Sequence, residues 1–165
     1  MSNSSKFKDQ DPRAYPSRPF VGVGVVIFKG DKILLAERNR RPNGKMWSIP
    51  GGAQELGETA EEAALREIRE ETNLEINILG LVDVVDVIRR DIEGEVEYHY
   101  TLIDFYAQWL SGEAIANDDV SDVKWVRLDE ISDEFLQPIT KSIIMKSATM
   151  MYRELGIVKM GSSLL

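Results

Sequence analysis

The order of elements along this 165-residue chain predicts an α+β fold with a mixed β-sheet between helices. Three observations carry that expectation. Two runs rich in β-branched residues, FVGVGVVIF and KILLAER, are joined by a KGDK turn. A capped helix pattern follows at 60–72, and a long aromatic and β-branched strand pair precedes a closing helix at Pro138–Glu154. The resulting order of two strands, helix, several strands and helix is not the βαβ alternation of a Rossmann fold.

The polar segment MSNSSKFKDQDPRAYPSRP is interrupted by Pro12, Pro16 and Pro19, so residues 1–18 are expected to form an extended or flexible arm. A single domain is expected over 19–160, with a tail at 161–165. The segment NRRPNGKM reads as a loop by its Pro, Asn and Gly content. Thr59 with Glu62 three residues on makes a capping box, and Asn73 suits the left-handed end of the helix. The run EINILGLVDVVDVIRRD, a turn at Glu93-Gly94 and EVEYHYTLIDFYAQWL form the strand pair. A polar loop, SGEAIANDD, then leads to the short strand VKWVRL, and LDEISDEF reads as a short helical turn. Gly156 is the expected stop of the last helix.

A net charge of -8 argues against a broad nucleic-acid surface, which needs clustered Lys and Arg. The absence of cysteine removes disulfides and thiolate chemistry and suits a reducing, cytoplasmic setting. No apolar run is long enough for a membrane span, and no signal-peptide core is visible. Neither GVGV at 22–25 nor any other stretch supplies a complete phosphate-binding glycine loop.

The helix at 60–72 poses a chemical question. Glu67, Glu70 and Glu71 crowd its C-terminal half, where the helix dipole and their mutual repulsion disfavour carboxylates. On a wheel they span about 100°, with Glu62, Arg66 and Arg69 in another sector, where Glu62 and Glu70 can both reach Arg66. One reading is a solvated charged face. The other is a divalent cation, Mg2+ or Mn2+, among oxygen ligands, and such an ion commonly bridges carboxylates to a diphosphate.

From Gly52 to Leu74 the sequence GAQELGETAEEAALREIREETNL resembles the Nudix signature at eight fixed positions: Gly52, Glu58, Arg66, Glu67, Ile68, Glu70, Glu71 and Leu74. Asn73 stands where the family has Gly, and both accept a left-handed conformation. WSIPGG, YHYTLIDFYAQ and DDVSDVKWVRLDEI are similar to the bacterial members grouped with ADP-ribose pyrophosphatases. The resemblance implies an α/β/α sandwich and Mg2+- or Mn2+-dependent hydrolysis of a nucleoside diphosphate linked to another group. It implies metal ligation by Glu67, Glu70 and Glu71 with the Gly51 carbonyl, and Glu58 and Arg66 orienting them. Glu70 or Glu71 is the expected proton acceptor, with Asp118, Asp119 and Asp122 as candidate additional acids, against a simple turn for NDD.

Substrate contacts are expected from the basic loop residues Arg38, Arg40 and Arg41, from Arg89, from Trp47 as a stacking ring, and from His99. ADP-ribose or a nucleotide sugar is the first-choice substrate, and a MutT-like (oxidised) dNTP pyrophosphohydrolase the alternative. A non-catalytic nucleotide sensor is the reading of another class; such sensors usually lose box acids or add a DNA-binding domain, and this sequence shows neither. A homodimer is expected, as in many relatives.

Overall fold

A computed structural model describes residues 11–40, 44–132 and 136–156. Seven strands form one mixed sheet: β1 (Phe20–Lys29), β2 (Lys32–Arg40), β3 (Gly44–Ser48), β4 (Gly51–Ala53), β5 (Glu75–Arg90), β6 (Val96–Ser111) and β7 (Val120–Arg127). The main path runs β3-β2-β1-β6-β5, with β4 on β1 and β7 on β2. Among the described residues only the β1–β6 pairing is parallel, because the chain must cross over through helix α1 (Ala60–Thr72) and β5 to reach it.

Helix α1 covers one face of the sheet and α2 (Pro138–Glu154) the other. Val23, Val25 and Ile27 of β1 join Ala63, Ala64 and Ile68 of α1, while Val26 and Phe28 join Ile143, Ile144 and Ala148 of α2. β1 is therefore buried on both faces, which is why its second half reads as an unbroken apolar run. The expected sandwich and the α2 limits are those of the structure. Leu155 caps α2, and Gly156 follows it in the left-handed conformation.

Two local expectations change. The loop expected at 39–46 is largely a β-ladder: β2 continues through Arg40 and pairs with β3, with Glu37 opposite Trp47 and Arg38 opposite Met46. Packing of Trp47 against the α2-side core outweighs the loop composition, and residues 41–43 lie outside the described residues. Residues 11–16 of the arm are tied down rather than free. The Tyr15 N–H donates to the Glu97 carbonyl (2.8 Å), its hydroxyl to Asp91 (3.0 Å), and the Tyr98 hydroxyl to Asp11 (3.1 Å). The short helical turn expected after β7 is present as a 3-10 helix at Leu128–Glu130, and residues 133–135 lie outside the described residues, as do 1–10 and the 161–165 tail. Among the described residues no helix is long and apolar enough to cross a membrane.

Candidate active site

Strand β4 contributes no side chain where it meets helix α1, so the Glu67 and Glu71 carboxyls lie directly against its backbone. Gly51 has φ 148, and a Cβ there would lie 2.0 Å from the Val23 carbonyl oxygen. A Cβ on Gly52 would lie 2.4 Å from the Glu67 carboxyl. Gly51 thus lets β4 close on β1, and Gly52 lets the Glu67 carboxyl rest against the β4 backbone. At the helix start, Thr59 Oγ1 accepts from the Glu62 N–H (3.2 Å), and Glu62 Oε2 accepts from the Thr59 N–H (2.7 Å). At the helix end Asn73 takes φ 60, and its N–H donates to the Arg69 carbonyl (3.0 Å).

Arg66 is the hub of the outer acids. It donates to both Glu58 oxygens (2.6 and 3.1 Å), to the Ala53 carbonyl (3.0 Å), to Glu67 (2.9 Å) and to Glu70 (3.1 Å). Glu62 is not among its partners, because the capping box holds that carboxylate at the helix start. The Arg66 fork and the Glu55 N–H keep the Glu58 carboxyl below the usual range. Burial pushes Glu67 up, against the opposing pull of Arg66.

The three box glutamates do not share one environment. Glu70 is half exposed, whereas Glu71 is 1 % exposed and points under β4. Glu71 accepts from the Gly51 N–H (3.0 Å) and from Arg38. Burial pushes its carboxyl up to about 7, against the pull of the Arg38 guanidinium and the Gly51 N–H. Arg38, expected as a loop contact to substrate, is itself 8 % exposed. Its Nη2 donates to the Gly51 carbonyl and to Glu71 Oε1, and its Nη1 to both oxygens of Asp119 (2.9 and 3.0 Å). The acids at the unfavourable end of the helix are therefore offset by two arginines, one from within α1 and one from β2.

Of the loop acids, only Asp119 is brought to the box. Asp118 forms the turn with φ 57, and Asp122 accepts from the adjacent Val123 N–H (2.8 Å) on β7. Trp47 is partly buried under Lys124, whose Nζ stands 4.0 Å from its ring centroid. Arg89 lies away on the β5–β6 hairpin, bonded to Glu97 (2.9 Å) and over the Tyr98 ring (4.6 Å). His99 sits on β6 opposite Ile88, on the same hairpin. The Arg40 side chain and all of Arg41 lie outside the described residues. Two features escaped the sequence reading: the buried pairing of Arg38, and Asp104, a 5 % exposed carboxyl on β6. The latter had a visible signal, the single charge inside the apolar run LIDFYA.

Among the described residues no three His, Cys, Asp or Glu side chains form a ready metal site, since Arg38 and Arg66 stand among the acids. The donor chemistry still fits a hard divalent ion. A backbone carbonyl and a buried carboxylate converge on one cationic group, with a second carboxylate against Gly52 and no sulfur donor at hand.

The NUDIX domain family model matches residues 18–146. An ADP-ribose pyrophosphatase of Methanocaldococcus jannaschii is 37% identical over 113 residues, which is 68% of this chain and 64% of that protein. An NAD-capped RNA hydrolase, NudC, of Pseudomonas aeruginosa is 30% identical over 126 residues, 74% of this chain and 39% of that protein. The chain thus spans less than two thirds of the length of these relatives. A MutT NUDIX hydrolase from Burkholderia pseudomallei superimposes with a TM-score of 0.68 at 30% identity, covering 79% of this chain and 98% of that one.

Proposed function

The chain belongs to the Nudix family, and from that premise we propose that it is a Mg2+- or Mn2+-dependent pyrophosphohydrolase of nucleoside diphosphates linked to a second group, ADP-ribose or a nucleotide sugar first among them. The observation that carries this reading is the Gly51 carbonyl and the buried Glu71 carboxylate turned onto one cationic group at the end of a helix that carries two further acids. The 37% identity to an archaeal ADP-ribose pyrophosphatase supports the choice of substrate class.

In this reading Gly51, Glu67, Glu70 and Glu71 would hold the ion. When bound, such an ion would neutralise charge on the phosphoryl oxygens and make the attacking water more acidic. Arg66 keeps Glu67 and Glu70 in place, and Glu58 and the Ala53 carbonyl fix Arg66 in turn. Water attacks a phosphorus of the pyrophosphate bridge, the P–O–P bond breaks, and Glu70 or Glu71 takes the water's proton. Asp119 stands by as the loop acid that Arg38 ties to the same oxygens.

The test is a substrate panel of ADP-ribose, nucleotide sugars, dinucleotides and dNTPs with Mg2+, products read by chromatography. AMP and ribose 5-phosphate from ADP-ribose is the expected result. Preference for an oxidised dNTP would replace the substrate with that of a MutT-like enzyme. Undiminished hydrolysis by a folded Glu70→Gln chain would sink the catalytic assignment, and binding without turnover of any panel member would leave a nucleotide sensor.

A further inference from the structure

We propose that Arg38 is the resident cation of the metal-free site and is exchanged for the divalent ion. Metal binding would take the Gly51 carbonyl and Glu71 from its guanidinium, freeing it to turn toward the substrate's phosphates. This rests on the reading of the site as a metal-dependent diphosphatase.

Three observations lead there. First, the Arg38 guanidinium already lies where hard oxygens converge. One nitrogen bonds the Gly51 carbonyl and Glu71, and the other grips Asp119 with 2.9 and 3.0 Å contacts. A divalent ion using the same oxygens would meet a positive group at close range, so the two cannot share them. Second, the pose is incomplete: Arg38 is 8 % exposed, yet its Nε–H is buried without a hydrogen-bond partner. Buried N–H groups are nearly always satisfied, so this orphan calls for an explanation, and a second arrangement of the guanidinium supplies one. Third, Arg38 sits at a register shift, where β2 slips against β7 between Glu37 and Arg38. Such irregularities re-aim side chains beside active sites. Its other partner, Asp119, is 65% exposed and on the loop entering β7, so it can follow the guanidinium outward.

Without the ion Arg38 is a positioning residue, and with the ion bound it becomes a phosphate contact. It holds Glu71, Gly51 and the Asp119 loop together until the ion arrives, and its positive charge lowers apparent metal affinity in return.

Mn2+ titration of the full metal-free chain, by electron paramagnetic resonance and calorimetry, tests the exchange in wild type and Arg38→Gln. If the guanidinium occupies the oxygens most of the time, its removal should tighten Mn2+ binding at least about fivefold at equal stoichiometry. The metal-free variant should melt below wild type, since Glu71 loses its partner. Equal or weaker Mn2+ affinity in the variant overturns the exchange while leaving the metal-dependent reading intact. No Mn2+ binding by wild type overturns both. Should Arg38→Gln not fold, nitrogen-15-labelled arginine in wild type decides: the Arg38 Nε–H exchanges slowly with water in the metal-free chain and rapidly at saturating Mg2+. A resonance that Mg2+ leaves unchanged overturns the proposal.

Discussion

Gly52→Ala should separate ligand geometry from folding. An alanine Cβ at this position would stand 2.4 Å from the Glu67 carboxyl carbon and Oε2, and 2.5 Å from Oε1. Non-bonded contacts settle near 3.5 Å, so the carboxyl must retreat by about 1 Å. Gly52 lacks a positive φ, so alanine suits its backbone. Loss of unfolded-state freedom then offsets the small cost of moving a long side chain, leaving stability within about 1 kcal/mol of wild type. Metal sites tolerate shifts of only about 0.2 Å, so Glu67 should be lost as a ligand. Metal affinity should fall about 10- to 100-fold and turnover about 100-fold.

The control is Gly57→Ala. Gly57 has φ +91, and a Cβ there meets no atom within 4 Å. Alanine is strained at that position but touches nothing, so it should cost stability while sparing metal affinity. Melting curves, Mn2+ titration and steady-state kinetics on both variants provide the comparison. Wild-type Mn2+ affinity in Gly52→Ala, or a stability loss as large as that of Gly57→Ala, would refute the geometric reasoning.

Burial, reinforced by Asp83 across the sheet, pushes the Asp104 carboxyl up from 3.8 to about 6, so the folded chain binds this proton more tightly than the unfolded one. The contribution of Asp104 to stability should therefore fall as pH rises from about 4 to about 6, and Asp104→Asn should remove that share of the slope, leaving the share of Glu71, and add up to about 3 kcal/mol at pH 8, read from urea midpoints. A variant as pH-dependent as wild type in that window contradicts it. Magnesium should raise wild-type stability by about 2.7 kcal/mol at a hundredfold excess over its dissociation constant. Glu70→Gln should lose most of that gain, and an equal response at constant ionic strength would return Glu70 to surface charge. Thr59→Ala removes the side-chain oxygen that accepts from the Glu62 N–H. It should cost about 1 kcal/mol and lower the melting point by about 2 to 4 °C, and an unchanged melting point would deny the cap its role.

Much of the box was legible in sequence because its constraints are local. The capping box, the helix limits and the left-handed Asn73 depend on hydrogen bonds between residues three or four apart, and side-chain type alone announces them. The strands were legible for a similar reason, since β-branched and aromatic runs suit a pleated, buried surface. The β2–β3 ladder was not, because Gly and Pro near its tip mark a loop while the pairing is decided by Trp47 docking on a distant core.

By itself the sequence determined that one short helix carries Glu67, Glu70 and Glu71 behind a glycine pair, with Arg66 one helical turn from Glu70. Only the tertiary structure decided that these acids occupy different environments. Glu71 is placed under β4 against Arg38 of β2, and Asp119 is drawn in from 81 residues along the chain from Arg38. The physical reason is that hydrogen bonding within a helix follows from spacing. The burial of a charge, and the choice of the opposite charge that offsets it, follow from which strands the sheet brings together.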